Sequence, residues 1–213
     1  MKILVLAWEF PPRIVGGIAR HVAELYPELV ILGHEIHLVT IEFGEAPAQE
    51  MVEGMYVYRV AVPAHEDFFE WIGQMNLSMG EKGGHLLRSA GDFDLIHAHD
   101  WLVSDAAIAL KHFFKLPLVA TIHATEYGRC QGLHNETNYY VDRKEKELVH
   151  DAWRVIVCSQ YMRDEIHQFL DCPKDKIDVI YNGIRANKKE KDPSFDYQSF
   201  RQQFATDQEK IVY

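Results

Sequence analysis

The chain has 213 residues, of which 47% are hydrophobic, so it can bury a large core and falls in the ordinary globular class. Its net charge of −10, from 22 basic and 32 acidic residues, argues against nucleic acid or an anionic membrane surface as a general partner. Three cysteines without metal-ligand spacing read as small buried thiols, and no apolar run is long enough for a transmembrane segment or laid out as a signal peptide, so a cytoplasmic protein is expected.

The first apolar run, Lys2-Ile3-Leu4-Val5-Leu6-Ala7, carries a buried strand predicted at Ile3–Ala7. After Trp8-Glu9-Phe10-Pro11-Pro12 comes Val15-Gly16-Gly17-Ile18, and Ile18, Val22, Leu25, Leu29 and Leu32 then recur at near-helical spacing. A strand, a glycine loop and a helix start form the usual setting for an anion at a helix N-terminus. A phosphate-bearing ligand is therefore expected there; the plainer alternative is a turn whose glycines only relieve strain. Further strands are predicted at Glu35–Thr40, Met55–Val60, Asp94–His97, Leu118–Thr121, Arg154–Cys158 and Asp178–Tyr181. Helices are predicted at Ile18–Leu32, about Leu77–Ala90, Asp105–Phe114, Thr137–Ala152 and Gln160–Leu170, with Gly33 as a C-terminal stop and Ser159 as an N-cap. The acidic stretch Glu42–Gly54 reads as a loop and 186–196 as a solvated linker. A last helix is expected within Phe195–Asp207, before Lys210-Ile211-Val212-Tyr213 opens a new strand.

Short apolar strands alternating with helices imply an α/β fold, a doubly wound, Rossmann-like parallel sheet. Ligands of such sheets bind beyond the carboxyl ends of the strands, and there the polar residues gather: Glu9, His97-Ala98-His99-Asp100-Trp101, His123-Ala124-Thr125-Glu126-Tyr127-Gly128-Arg129, Ser159 and Asn182. Carboxylates, imidazoles and aromatic rings on one edge suit a polyhydroxylated ligand, with Trp101 or Tyr127 against a sugar face. His97 is read as the core-facing, hydrogen-bonded member of its pair, and Arg129 as free to pair with Glu126. A metal is not expected, since no third ligand is spaced to match His99 and Asp100. His123, directly after a buried strand, is the foremost functional candidate. A nicotinamide dinucleotide site is excluded, because G-x-G-x-x-G and its acidic partner are missing; so are a P-loop and a nucleophile elbow.

The order Pro11-Pro12…Gly16-Gly17-Ile18, His97-Ala98-His99-Asp100-Trp101, Thr121 to Arg129, Val157-Cys158-Ser159 and Tyr181-Asn182-Gly183-Ile184 resembles retaining glycosyltransferases of the GT-B fold, family 4 and the neighbouring glycogen and starch synthases of family 5. The resemblance covers only the N-terminal half of such a fold. It implies a Rossmann-like acceptor-side domain over 1–185, with 186–213 as linker, helix and start of a nucleotide-sugar-binding domain. It further implies transfer of a glucosyl or similar unit from UDP-glucose or ADP-glucose to a saccharide acceptor, a glucan or envelope polysaccharide, without a cofactor. Carried over by position, Gly16 and Gly17 would meet the donor diphosphate, and His123, Asp100 and His134 would be catalytic. Glu9, His99, Trp101, Glu126 and Arg129 would line the sugar and acceptor side. Ile14 stands where family 5 has a lysine, and Arg20 where it has an acid, which favours family 4. The family's E-x7-E motif belongs to the second domain, so this stretch alone is expected to be inactive. A non-catalytic carbohydrate-binding or regulatory module on the same scaffold is the competing reading.

Overall fold

A computed structural model of the protein describes residues 1–183 and 194–210. The strands are β1 (Lys2–Leu6), β2 (Glu35–Ile41), β3 (Gln49–Val52), β4 (Met55–Val60), β5 (Leu95–His99), β6 (Leu118–Thr121), β7 (Arg154–Val157) and β8 (Ile177–Val179). The helices are α1 (Gly17–Ile31), α2 (Phe68–Ser89), α3 (Ser104–Phe114), α4 (Glu126–Cys130), α5 (Glu136–Asp151), α6 (Gln160–Phe169) and α7 (Tyr197–Gln202). Met1–Gly183 forms one compact unit, and α7 belongs to a second. The expected linker and the terminal strand fall largely or wholly on 184–193 and 211–213, outside the described residues.

The eight strands form one sheet in the order β3-β4-β2-β1-β5-β6-β7-β8, parallel except for β3 against β4. β1 pairs with β2 on one side and β5 on the other, so the winding reverses at β1. Side chains alternate faces along each strand. Leu4 and Leu6 of β1 join Ile96 and Ala98 of β5 in a core closed by residues of α2, α3, α5 and α6. Ile3, Val5 and Ala7 face the other way and pack with Ile18, Val22 and Tyr26 of α1. A sheet covered on both faces explains why β1 and β2 are buried along almost their whole length.

Local chemistry sets several boundaries as expected. Gly33, at φ 85°, follows α1; its N–H reaches the Val30 carbonyl and that of His34 the Leu29 carbonyl, the paired bonds of a Schellman stop. The Ser159 hydroxyl accepts the Met162 N–H at the start of α6. Two elements, β3 and α2, stand out as departures from the sequence reading. β3 lies within the stretch read as a loop, since an edge strand alternating between exposed and half-buried has no apolar signature. Glu53 and Gly54, both at positive φ, close the β3–β4 hairpin. α2 begins nine residues early because the Asp67 carboxylate caps the N–H groups of Phe69 and Glu70. Its glycines lower helix propensity, but packing against α3 decides: a Cβ on Gly83 would sit 2.7 Å from Leu110 Cδ1.

Buried Asn76 of α2 ties this layer to the end of β5. Its Nδ2 donates to the carbonyls of Ile72 and Leu102, and its Oδ1 accepts the Ala106 N–H at 3.0 Å. Asn76→Ala removes partners from two buried groups outside its own helix. A loss of about 2–4 kcal/mol in urea unfolding is expected.

Candidate functional site

The winding reversal between β1 and β5 opens a crevice at the carboxyl ends of the strands, beside the N-terminus of α1. Glu9, on the loop after β1, is only 1% exposed. Its Oε2 accepts the N–H groups of Val15 (2.6 Å) and Gly16 (2.8 Å), and its Oε1 that of Ala19 (3.2 Å). The chain's own carboxylate thus takes part of the anion position at this helix start. Two expectations change: Glu9 builds the glycine loop rather than lining the cleft, and the Gly16 N–H is already engaged. Gly17 is exposed, with open space where a Cβ would stand. Arg13 lies over the Trp8 ring, and burial holds its guanidinium below its usual pKa, with Glu9 opposing.

On the α1 face of the sheet stands a continuous chain of polar rings. The Thr121 hydroxyl meets His97 Nε2 at 2.8 Å, and His97 Nδ1 meets the Tyr26 hydroxyl at 2.8 Å. That hydroxyl meets His99 Nε2 at 2.6 Å, and His99 Nδ1 meets His123 Nε2 at 3.1 Å. His21 of α1 closes the group, its ring 4.8 Å from that of His123, with Nδ1 3.1 Å from Asn182 Oδ1. Residues i and i+2 of a strand share a face, so His97 and His99 stack side by side, both buried, and the division between a core histidine and a cleft histidine does not hold.

Burial keeps these imidazoles neutral. His97 is pushed down to about 3, His21 and His123 to about 4, and His99 well below the usual value, with neighbouring imidazoles adding to the effect on His21, His97 and His99. With every ring neutral, two proton arrangements satisfy the chain. In one, each donor points from Thr121 toward His123, leaving His123 with Nδ1–H. In the other every donor points back, and His123 carries Nε2–H.

Asp100 holds the loop that carries His123. It has φ 59°, strained for a residue with a side chain, and its Oδ1 accepts the His123 N–H at 2.7 Å. The Asp100 N–H in turn donates to the Thr121 carbonyl, so the ends of β5 and β6 are tied both ways. Burial raises the Asp100 carboxyl to about 7 against the pull of that hydrogen bond and of Arg129.

The remaining candidates are placed elsewhere. Trp101, 6% exposed, sits in the core with its ring nearly perpendicular to that of Tyr140, so it offers no open face to a sugar. Tyr127 is stacked on Phe169. Glu126 is buried under α4, where its carboxylate accepts Asn138 Nδ2 at 2.7 Å and pairs with Arg129 at 3.0 Å. Its N–H donates to Glu145, whose carboxyl burial raises to about 8. Arg129 keeps 42% of its side chain exposed, and exposed His134 meets the Cys130 carbonyl. Among the described residues these groups make no hydrogen bond to the histidine cluster. A groove of about 820 Å³ between α2 and α3, lined by Leu77, Gly80 and Phe113, shares no residue with it either. Sequence reasoning missed His21 and Tyr26, which lie on α1 beside the apolar stripe. Their nearness to the glycine loop is the only signal that marks them.

Two expectations follow. Tyr26→Phe leaves ring nitrogens of His97 and His99 without their partner and should cost about 1–3 kcal/mol in urea unfolding. The pH profile should be a dome. The four imidazoles bind protons in the unfolded chain from about 6.5 downward but not in the fold, so their contribution is whole above about 6.5 and is lost as pH falls. Asp100 and Glu145 act in the opposite sense, and their contribution is lost as pH rises through about 7 and 8. With four groups against two, the urea midpoint should peak near pH 6.5 and fall at pH 5 and at pH 8.

With this geometry in hand, the model of Glycosyltransferase Family 4 matches residues 15–188. The uncharacterized glycosyltransferase MJ1607 of Methanocaldococcus jannaschii is 38% identical over 184 residues, covering 86% of this chain and 46% of that protein. A glycogen synthase of Mycobacterium tuberculosis is 37% identical over 202 residues, covering 87% and 49%. The chain thus spans about half the length of the curated relatives it matches. The crystal structure of Anabaena Alr3699/HepE with UDP-glucose shares the fold, with a TM-score of 0.63 at 20% identity over 95% of this chain and 49% of that one. No described helix is long and apolar enough to cross a membrane.

Proposed function

Because the chain belongs to glycosyltransferase family 4, we propose that it is the acceptor-side, N-terminal domain of a retaining cytoplasmic GT-B enzyme. That enzyme moves a glucosyl or similar hexosyl unit from UDP- or ADP-sugar to a glucan or envelope polysaccharide. The observation that carries this reading is His123: a neutral imidazole at the carboxyl edge of the sheet, held from behind by Asp100 and His99. A neutral ring beside the donor sugar offers a hydrogen bond without a competing charge as the leaving diphosphate departs. His99 and Asp100 act as positioning residues. The M. tuberculosis glycogen synthase and the Anabaena protein bound to UDP-glucose support a nucleotide-sugar donor.

The donor phosphate contact falls to Gly17, since Glu9 occupies the Gly16 N–H. Arg129, steadied by Glu126, and His134 face the acceptor. Residues 1–185 make this domain, and 186–213 lead into a nucleotide-binding half. The three free thiols suit a reducing cytoplasm. With about half of its relatives' length, the chain alone turns over little or nothing.

The test uses the full-length protein with UDP-glucose or ADP-glucose and measures released nucleoside diphosphate. His123→Ala should lower transfer about a hundredfold, on the scale of losing one transition-state contact, and His134→Ala by less. An unchanged kcat in His123→Ala would overturn the assignment. Oligosaccharide binding with no release from either donor would favour the non-catalytic module.

A further inference from the structure

We propose that His21, His99 and His123 form a three-imidazole site for a divalent transition-metal ion of zinc's class, and that the ion blocks the sugar-facing histidine. The inhibitory half rests on the function proposed above; the binding half does not. One ligand atom from each of the three side chains lies within 4.8 Å of the other two. Their partners identify the atoms. His21 Nδ1 is taken by Asn182, whereas His21 Nε2 is buried and has no hydrogen-bond partner among the described residues. His99 Nε2 is taken by Tyr26, which leaves Nδ1, and that nitrogen faces His123 Nε2 at 3.1 Å.

Zinc–imidazole bonds of about 2.0–2.1 Å in a tetrahedron place ligand nitrogens roughly 3.4 Å apart. The His99–His123 pair is already near that spacing, and the His21 ligand atom lies within 4.8 Å of both. Three protein ligands leave a fourth position open. An unpartnered buried nitrogen is costly in the free protein, so an ion that fills it removes a penalty.

The surroundings also match a metal site. Ligating histidines almost always donate their second N–H to an oxygen, which fixes the tautomer. Here His21 Nδ1–H donates to the Asn182 carboxamide oxygen, and His99 Nε2–H to the Tyr26 hydroxyl oxygen. Tyr26 then donates to His97 Nδ1, and His97 Nε2–H to the Thr121 hydroxyl. His123 keeps its proton on Nδ1. Each ring holds one proton before and after the ion enters, so binding moves protons along the chain without releasing any. Imidazole nitrogens select zinc, copper, nickel or cobalt over magnesium and calcium, which prefer oxygen. Bound there, the ion takes the His123 lone pair and fills the crevice that the sugar would enter.

The experiment titrates the metal-free full-length protein with cobalt(II) and follows the visible absorption of a four-coordinate site, then displaces the cobalt with zinc. One ion per chain is expected. The band should vanish in His21→Ala and in the milder His21→Gln, each checked for folding by circular dichroism, and persist in the surface variant His65→Ala. Tyr26→Phe and Asn182→Ala should weaken affinity about 10–100-fold. In the transfer assay, micromolar zinc should inhibit the wild type and lose most of its effect in His21→Gln. Failure to bind cobalt below millimolar concentration, or equal binding by folded His21→Gln, overturns the site. Cobalt binding lost in His21→Gln without zinc inhibition keeps the site and removes its inhibitory role. An inactive full-length protein counts against the transferase reading alone, because the cobalt spectrum needs no substrate.

Discussion

The buried carboxylate of Glu9 is the constraint on which the rest of the site depends. A charge taken out of water is tolerated only when its lone pairs find donors, and the free N–H groups at the start of α1 supply them. The bond runs both ways. It satisfies the helix start, which has no side-chain cap from Gly16, and it clamps the loop between β1 and α1 into one path. With α1 set in this way, His21 and Tyr26 stand over the ends of β5 and β6. Without that placement His97 Nδ1 and His99 Nε2 would lose their shared partner, the Tyr26 hydroxyl.

Polarity on the α1 face follows from the same geometry. The opposite face of the sheet is closed by four helices and is apolar. The α1 face carries the Ile3–Val5–Ala7 core under α1, and beside it the rows from β5 and β6 turn polar as His97, His99 and Thr121. Burying these imidazoles is acceptable because both nitrogens of His97 and of His99, and Nε2 of His123, have a neighbour of matching kind, and the row has two self-consistent proton arrangements. A neutral network of this type answers to a neighbour's hydrogen bond rather than to bulk pH near neutrality. The price of that arrangement is the unpartnered His21 Nε2.

Much of this was legible in the chain itself. Buried parallel strands announce themselves as apolar runs, so β1, β2, β4 and β6 lie within a residue or two of their expected places. Gly33 and Ser159 act as their chemistry demands. The strand ends correctly marked His99, Asp100 and His123 as one neighbourhood, since parallel strands bring their carboxyl ends together by construction. Trp101 failed as a sugar platform because a short turn of helix after Asp100 swings it into the core. α4, five residues long, brings Arg129 against Glu126, one of the two readings their spacing allowed, and folds the pair onto Glu145 and Asn138.

Periodicity and turn chemistry act over a few residues, and they are enough to mark most of the elements, the parallel sheet and the edge where polar groups collect, though not edge strand β3 or the short α4. The motif order through Asn182 and Gly183 was enough to point to the family. Tertiary structure alone decided which of those groups meet. Glu9 and Ala19, Tyr26 and His99, and His21 and Asn182 are 10, 73 and 161 residues apart in the chain. No local pattern encodes such pairs. They come together because burial must leave each polar atom a partner, and the packing of α1 on the sheet settles which partner that is.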